Sequence, residues 1–141
     1  LEKTGMAVTL DIGEEDDIHP ANKQDVGKRL ARLALANDYG KSEVLASGPL
    51  YKSQKLFPSY IDLDFDYVGS GLRAKKSLQG FEIAGSDSVF YPATAKILDD
   101  KVRVSSRKVK NPKRVRYGWK NYFEATLFNT EGLPASSFQT P

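Results

Sequence analysis

The sequence predicts a mainly β chain, an antiparallel β-sandwich preceded by one α-helix. Apolar residues recur with helical spacing in residues 26–35, which places them on one face of a helix. Beyond Gly40, short runs rich in β-branched and aromatic residues alternate with turn residues at roughly ten-residue spacing, a pattern typical of an antiparallel sandwich. Residues 60–67 alternate apolar and acidic side chains, which indicates a half-buried strand.

The amino-terminal part contains a short apolar run, an acidic loop and the helix. Residues 6–10 are apolar and partly β-branched, and we predict a buried strand there. Asn22 suits the N-cap of the helix, with Asp25 in the acidic first turn. Gly40 is placed to end the helix in a left-handed conformation. These elements form a piece of an α/β unit, which cannot close a core by itself.

The remaining residues carry the strands of the sandwich. We expect the tail, residues 132–138, to be extended and to lie on a surface rather than within a sheet. The composition changes near Gly40, so we divide the chain into residues 1–40 and a β-sandwich domain, residues 41–141, which could fold alone. The predicted strands span residues 50–56, 60–67, 81–83, 89–91, 93–98, 101–105, 114–119 and 126–128.

The composition excludes several classes of functional site. The 141 residues include no cysteine and one histidine. Disulfides, thiolate zinc sites, cysteine nucleophiles and multi-histidine metal sites within one chain are therefore excluded. Acid–base chemistry of the common kind must use His19, a carboxylate or a lysine. No apolar run approaches the ~20 residues of a membrane helix, so we expect no membrane partner.

The net charge is +3, but the acidic and basic residues are distributed unevenly along the chain. Residues 11–17 hold five acids, whereas residues 101–120, the basic run, hold nine Lys or Arg and no acid. Such runs are usually solvated loop and strand faces. The basic run could instead bind a polyanion or dock another domain, although we do not expect nucleic acid as its partner.

Asp16-Asp17-Ile18-His19-Pro20 is the most informative stretch for chemistry, because it follows the predicted strand and opens the helix. An acid three residues before a histidine can accept a hydrogen bond from the imidazole Nδ1 across a tight loop, while Nε2 faces a serine. The alternative interpretation is a surface histidine near a helix start, where the helix dipole favours acids.

Further segments extend this pattern along nearly all of the chain. They are Asp11-Ile12-Gly13, Asp17-Ile18-His19-Pro20-x-Asn22-Lys23-x-x-Val26-Gly27-x-Arg29-Leu30-Ala31, Gly48-Pro49-x-Tyr51-Lys52-Ser53, Phe65-x-Tyr67-Val68-Gly69-Ser70-Gly71-Leu72, Gly80-Phe81-x-Ile83-Ala84-Gly85, Val115-Arg116-Tyr117-Gly118-Trp119 and Asn129-x-Glu131-Gly132-Leu133-Pro134-Ala135-Ser136. In this order the segments resemble the carboxy-terminal portion of the sialate O-acetylesterases, which are SGNH-type carbohydrate esterases. The ordered set is much more specific than the Asp-x-x-His-Pro match alone.

The resemblance implies a function for His19. In that family the histidine of this loop is the general base for a serine, which attacks an acetyl ester of sialic acid or a related sugar. Asp16 occupies the Asp-x-x-His spacing and is the expected orienting acid, with Asp17 and Asp11 as alternatives. The resemblance implies no cofactor or metal, and a periplasmic or secreted location for the whole enzyme.

The nucleophile of that family has no counterpart in this sequence. SGNH enzymes carry the serine in a Gly-Asp-Ser motif near their amino terminus, and no such motif is present here. Gly85-Ser86-Asp87 has the reverse order and lies in a predicted hairpin turn. We therefore expect a carboxy-terminal fragment that supplies the base but lacks the serine, with residues 1–40 as the remnant of the SGNH hydrolase domain.

The predicted helix also needs a partner. Its apolar face, formed by Val26, Leu30 and Leu33, cannot stabilise a helix in water unless another element covers it. The β-sandwich domain or a second copy of the chain, in a homodimer through this face, could cover it. The missing SGNH domain is also an expected partner of the chain.

Two other functions stay open at this point. The main alternative is a non-catalytic carbohydrate-binding or accessory β-sandwich module, and a weaker one is a polyanion-binding module that uses the basic run. Tyr117-Gly118-Trp119 could present an aromatic ring to a sugar, although a core or interdomain anchor is its expected role. The basic run could meet the carboxylate of a sialic acid, which a mutation of Arg116 would test, although exposed strands are the simpler interpretation.

Overall fold

The computed structural model describes residues 4–141 and shows a mainly antiparallel β fold with one helix, which confirms the predicted fold class. The elements in chain order are α1 Lys23–Asn37, β1 Leu50–Leu56, β2 Ile61–Asp66, β3 Leu72–Ala74, β4 Phe81–Ala84, β5 Phe90–Pro92, β6 Thr94–Leu98, β7 Lys101–Ser105, β8 Arg114–Tyr117, β9 Leu127–Asn129 and β10 Phe138–Gln139.

Two four-stranded antiparallel sheets enclose the core. Their strand orders are β1-β2-β7-β6 and β10-β8-β4-β5, and β3 pairs separately with β9. Apolar side chains of both sheets join in one buried cluster, which is the packing of a β-sandwich. Its fully buried members include Ile61, Leu63, Ile83, Val102, Val104, Val115, Tyr117 and Leu127.

Strand β2 shows why the alternating pattern predicts a strand. Ile61, Leu63 and Phe65 point into the core, as expected from their spacing. Asp62 is also buried, because Arg103 on the neighbouring β7 holds both of its carboxylate oxygens at 2.8 and 2.9 Å. The acidic side of this strand is therefore partly covered by the basic run.

Helix α1 begins as the sequence predicts. The Asn22 Oδ1 accepts a hydrogen bond from the Asp25 backbone N at 3.1 Å, and the Asn22 side-chain amide donates to the Asp25 carboxylate. That side-chain bond, followed by one from Lys28, lowers the pKa of Asp25. Gly40 adopts a left-handed φ of 64° just beyond the helix, where the chain turns away.

The buried strand predicted for residues 6–10 is wrong. This segment belongs to no sheet, and Met6 is 70% exposed. The run is apolar enough for a strand, but it pairs with none of the strands in the described residues. A single bond ties its end to the sandwich, from the Ala125 backbone N to the Leu10 carbonyl at 3.0 Å.

The surface position predicted for residues 132–138 is also wrong. Pro134 and Ala135 are buried, and the Ala135 backbone N donates to the Leu127 carbonyl at 2.9 Å. Phe138 then pairs with Tyr117 as strand β10 joins the free edge of β8.

The ring of Phe138 explains why the tail leaves the surface. It stacks on Tyr51 with 5.2 Å between ring centroids and lies edge-on to Phe65 at 5.7 Å. Burial of this aromatic ring between the two sheets stabilises the tail against the sandwich, although the composition of the tail predicts an exposed loop.

Part of the basic run is paired with acids on adjacent strands. Lys101 and Arg103 bind Asp64 and Asp62 of β2, and Arg116 forms two hydrogen bonds with Glu82 of β4. The Arg116 guanidinium also lies 4.2 Å from the ring centroid of Phe90. These cations thus join strands within each sheet. No helix within residues 4–141 is long and apolar enough to cross a membrane.

Candidate functional site

The acidic loop before α1 is organised by its own carboxylates. The Glu14 Oε1 accepts a hydrogen bond from the Ala21 backbone N at 2.8 Å, and the Asp17 Oδ1 accepts one from the His19 backbone N at 2.8 Å. Glu14 and Asp17 also form an isolated antiparallel bridge. The loop therefore has a defined conformation even though its side chains are mostly exposed.

An ion pair beneath the loop connects it to the helix. The Arg29 guanidinium binds the two Asp11 carboxylate oxygens at 2.6 and 2.7 Å, and it also donates to the Val8 carbonyl at 2.6 Å. The two side chains are only 11% and 12% exposed. Such a paired, nearly buried arrangement is geometrically specific. Arg29 therefore holds both ends of the segment that leads into the loop.

Two more contacts connect the helix to neighbouring segments of the chain. The Arg32 Nε donates to the Leu45 carbonyl at 3.1 Å, so the helix is tied to the connection before β1. Leu33 packs against Gly5 so closely that a Cβ on the glycine would lie 2.9 Å from a Leu33 methyl carbon. With the bond from the Ala125 backbone N to the Leu10 carbonyl, these contacts connect the region around the His19 loop to the segments before β1 and before β9.

His19 is bonded to Asp17 only through its backbone N, which donates to the Asp17 carboxylate. Among the residues it describes, the imidazole of His19 makes no hydrogen bond or ion pair, and both His19 and Asp16 are exposed. Asp11, the third candidate for the orienting acid, is committed to Arg29. The assignment of Asp16 to the imidazole therefore stays a prediction.

Sequence reasoning missed the bracing role of Arg29, although a signal for it was present. Arg29 lies three residues after Val26 and four before Leu33, on the face that carries the apolar residues. A guanidinium within an apolar helical face must find an anionic partner, and Asp11 is the acid that reaches it.

A second region of interest lies around Trp119. Tyr117 is fully buried, and its hydroxyl accepts hydrogen bonds from the backbone N of Thr126 and of Leu127 at 2.9 and 3.0 Å. Trp119, two residues later, is 52% exposed and borders an open cleft. The first aromatic residue of this motif is thus a core residue, whereas the second faces the surface.

Comparison with known proteins relates the chain to an esterase. The sequence matches no known protein-family profile and no curated protein. The fold matches the crystal structure of a carbohydrate acetylesterase from Xanthomonas citri with a TM-score of 0.89 and 45% sequence identity. This chain resembles part of a carbohydrate acetylesterase. The match covers 96% of this chain and 32% of that enzyme, so the chain spans about a third of the length of its structural relative.

Replacing Arg29 by alanine is expected to lower the free energy of unfolding by about 2 kcal/mol, because the nearly buried Asp11 carboxylate loses its partner. Urea unfolding followed by circular dichroism measures the change. Lys28→Ala is the matched control, since Lys28 pairs with Asp25 at the exposed surface and should change stability by less than about 0.5 kcal/mol. Equal effects of the two substitutions would contradict the bracing role of Arg29.

Proposed function

We propose that this chain is the carboxy-terminal part of a carbohydrate acetylesterase and contributes the histidine base of a serine esterase. The observation that carries the proposal is the match at 45% identity over 96% of the chain to an enzyme of that activity. Because the match covers only 32% of that enzyme, the complete active site is proposed to need a further segment that bears the serine.

The proposed substrate is an O-acetylated sugar, either a sialic acid or a related sugar. Its support is the ordered set of sequence segments that resembles the sialate O-acetylesterases, together with the esterase activity of the structural relative. The same resemblance supports an SGNH arrangement of the missing part and a periplasmic or secreted location.

In the proposed reaction, His19 accepts the proton of the serine hydroxyl as the serine Oγ attacks the acetyl carbonyl. An oxyanion hole holds the negative charge of the tetrahedral intermediate. The intermediate collapses when the sugar oxygen leaves, and the imidazolium returns the proton to that oxygen. Water then attacks the acetyl carbon while His19 takes its proton, and the imidazolium returns that proton to the serine Oγ as the ester bond breaks and acetate leaves.

The exposed position of His19 suits this role. Its backbone is held by Asp17, and the loop is braced by Arg29 through Asp11, while the imidazole is left accessible to a group from another segment. Asp16 is the proposed orienting acid, because it occupies the Asp-x-x-His spacing.

The apolar surface around the helix supports a missing neighbour. Ile18 is 89% exposed, Leu30 is 51% exposed, and Met6 and Tyr39 are also exposed. Large apolar side chains this exposed are available for contact with a further part of the enzyme. We propose that the serine-bearing part of the enzyme covers this surface, in preference to a second copy of the chain.

A chimeric enzyme tests the proposal. The matching third of the Xanthomonas citri acetylesterase is replaced by this chain, and hydrolysis of p-nitrophenyl acetate and of acetylated saccharides is measured. We expect the chimera to be active and the 141-residue chain alone to be inactive, since the serine comes from the other part.

Two results would contradict the proposal in different ways. A chimera with a cooperative thermal transition but no hydrolysis would reject the esterase function of this chain. Serine-dependent hydrolysis by the isolated chain would reject the incomplete active site. The parental acetylesterase, assayed in parallel, is the control for substrate and assay conditions.

A further inference from the structure

We propose that the cleft beside Trp119 binds a pyranose ring of a glycan. The proposal extends the function proposed above, because a carbohydrate esterase must hold the sugar chain that carries its ester. It concerns a surface on the sandwich that is separate in sequence from the His19 loop, and its test does not depend on ester hydrolysis.

The backbone around Trp119 is rigid. Gly118 has a left-handed φ of 63°, and its N–H donates to the Gly80 carbonyl at 3.1 Å. The Lys120 backbone N in turn donates to the Gly118 carbonyl at 3.0 Å. These bonds fix the turn that presents the indole, so a ligand meets a prepared surface and loses little affinity to ordering.

The turn packs on the half-buried ring of Phe123. The ring of Phe123 lies so close to Gly80 that a Cβ there would be 2.3 Å from two ring carbons. Phe123 also packs edge-on against the buried Tyr117, with 5.2 Å between centroids. The absence of a side chain at Gly80 therefore allows the Phe123 ring to pack between the sheet and the turn.

Two adjoining depressions meet at Trp119. One has a volume of about 240 Å³ and the other about 280 Å³, and both are bordered by Gly118, Trp119 and Lys120. The first is lined by the apolar rings and by Gln79 and Glu82, while the second is lined by Asn121 and Ser137. Clefts of this combined size, with an apolar wall and a few polar groups, are typical of small-ligand sites.

The polar groups at the rim differ in their availability. Glu82 is occupied by Arg116. By contrast, across the described part of the chain the side chains of Lys120 and Asn121 make no hydrogen bond or ion pair, and both residues are exposed.

The arrangement at Trp119 is suited to a pyranose ring. It combines a half-exposed indole with hydrogen-bond donors that are unpaired within the described residues and an amide oxygen at its rim. The C–H face of the sugar can lie on the ring, and its hydroxyl groups can bond to the rim. Trp119 supplies that ring, while Lys120 and Asn121 supply the rim groups.

Tryptophan fluorescence provides a direct test, because Trp119 is the only tryptophan of the chain. The 141-residue chain is titrated with cellohexaose, a neutral glycan, and with sialyllactose, an anionic one. We expect a saturable change of the emission, with a dissociation constant of about 1 mM, for at least one of them. If the chain prefers sialyllactose and Lys120→Ala abolishes the preference, the natural ligand is an anionic glycan. If the response to cellohexaose is equal or stronger, the natural ligand is a neutral glycan.

The variants separate this site from non-specific binding. Asn121→Ala keeps the fluorescent reporter and is expected to weaken association about fivefold, the effect of one lost hydrogen bond. Tyr39→Ala removes an exposed aromatic residue beyond the end of α1, outside the lining of the cleft, and should leave the titration unchanged.

Calorimetry with Trp119→Ala completes the test and should show no saturable heat. Absence of a saturable response to both glycans, or the same response in Asn121→Ala as in the natural chain, would overturn the proposal. Either result would leave the esterase proposal untouched, since that is decided by hydrolysis in the chimera.

Discussion

Replacing His19 by alanine in the chimeric esterase is expected to reduce its turnover number by about 10⁴-fold. The imidazole is the proposed acceptor of the serine proton, and general base catalysis of this kind contributes up to about that factor. The loss should fall on the turnover number rather than on KM, since His19 acts on the reacting proton and not on the sugar. Initial rates over a range of substrate concentrations separate the two parameters.

The controls for His19 come from the same loop. The His19→Ala chimera should keep its thermal transition, because the imidazole is exposed and the carboxylate of Asp17 bonds to the main chain, which the substitution leaves in place. Asp17→Asn retains an oxygen for that bond and should change turnover little. Asp16→Asn should lower turnover strongly if Asp16 orients the imidazole. A His19→Ala enzyme that keeps a tenth of the activity would refute the assignment of the base.

Replacing Asn129 by alanine is expected to lower the free energy of unfolding by about 3 kcal/mol. Asn129 is completely buried at the end of β9. Its amide nitrogen donates to the carbonyls of Ser47 and Tyr67 at 3.3 and 3.0 Å, and its Oδ1 accepts from the Leu133 backbone N at 2.9 Å. Alanine would leave three main-chain groups without their partner, at about 1 kcal/mol or more each.

The direction of these bonds gives a second variant. Asn129→Asp keeps the acceptor for Leu133 but would turn a carboxylate oxygen toward two carbonyl oxygens, so it should destabilise the chain at least as much as alanine does. Asn121→Ala, at an exposed asparagine without a partner among residues 4–141, is the matched control and should change stability by less than about 0.5 kcal/mol. Urea unfolding measures the stability change of all three variants. A loss below about 1 kcal/mol for Asn129→Ala would contradict the structural role.

Local sequence signals predicted the elements whose structure depends on near neighbours. Asn22, Asp25 and Gly40 mark the ends of α1 because capping bonds join residues only a few positions apart. Strand β1 was predicted with the bounds that the structure has, and β2 to within one residue. The alternation in residues 60–67 reflects the pleat of a single strand, which the sequence displays directly.

The errors fall where distant residues decide the structure. Residues 6–10 have the composition of a strand, but they pair with no strand of the described residues. Residues 132–138 have the composition of a loop, yet β8 offers a free edge and Tyr51 offers a ring to Phe138. Strand β3 was missed for the same reason, because it pairs with β9, more than fifty residues away. Pairings of this range carry little local signal.

The candidate site was predicted unevenly. Spacing and resemblance singled out His19 and Asp16, and the comparisons do not test either residue. The bidentate pair of Arg29 and Asp11 joins residues 18 positions apart, so neither partner revealed it from its immediate neighbours. The burial of Tyr117 fits the core role expected for its motif, whereas Trp119 is exposed because the turn at Gly118 directs the chain away from the core.

The late arrival of β10 has a consequence for how the molecule is made on the ribosome. Until residues 138–140 have left the exit tunnel, β8 has an open edge, and the rings of Tyr51 and Phe65 lack the ring of Phe138. At a synthesis rate of roughly 5–20 residues per second, the roughly 20 residues between β8 and β10 take about 1–4 seconds to make, and the edge of β8 stays open for at least that time. The sandwich is therefore complete only when the tail has been translated and has paired with β8.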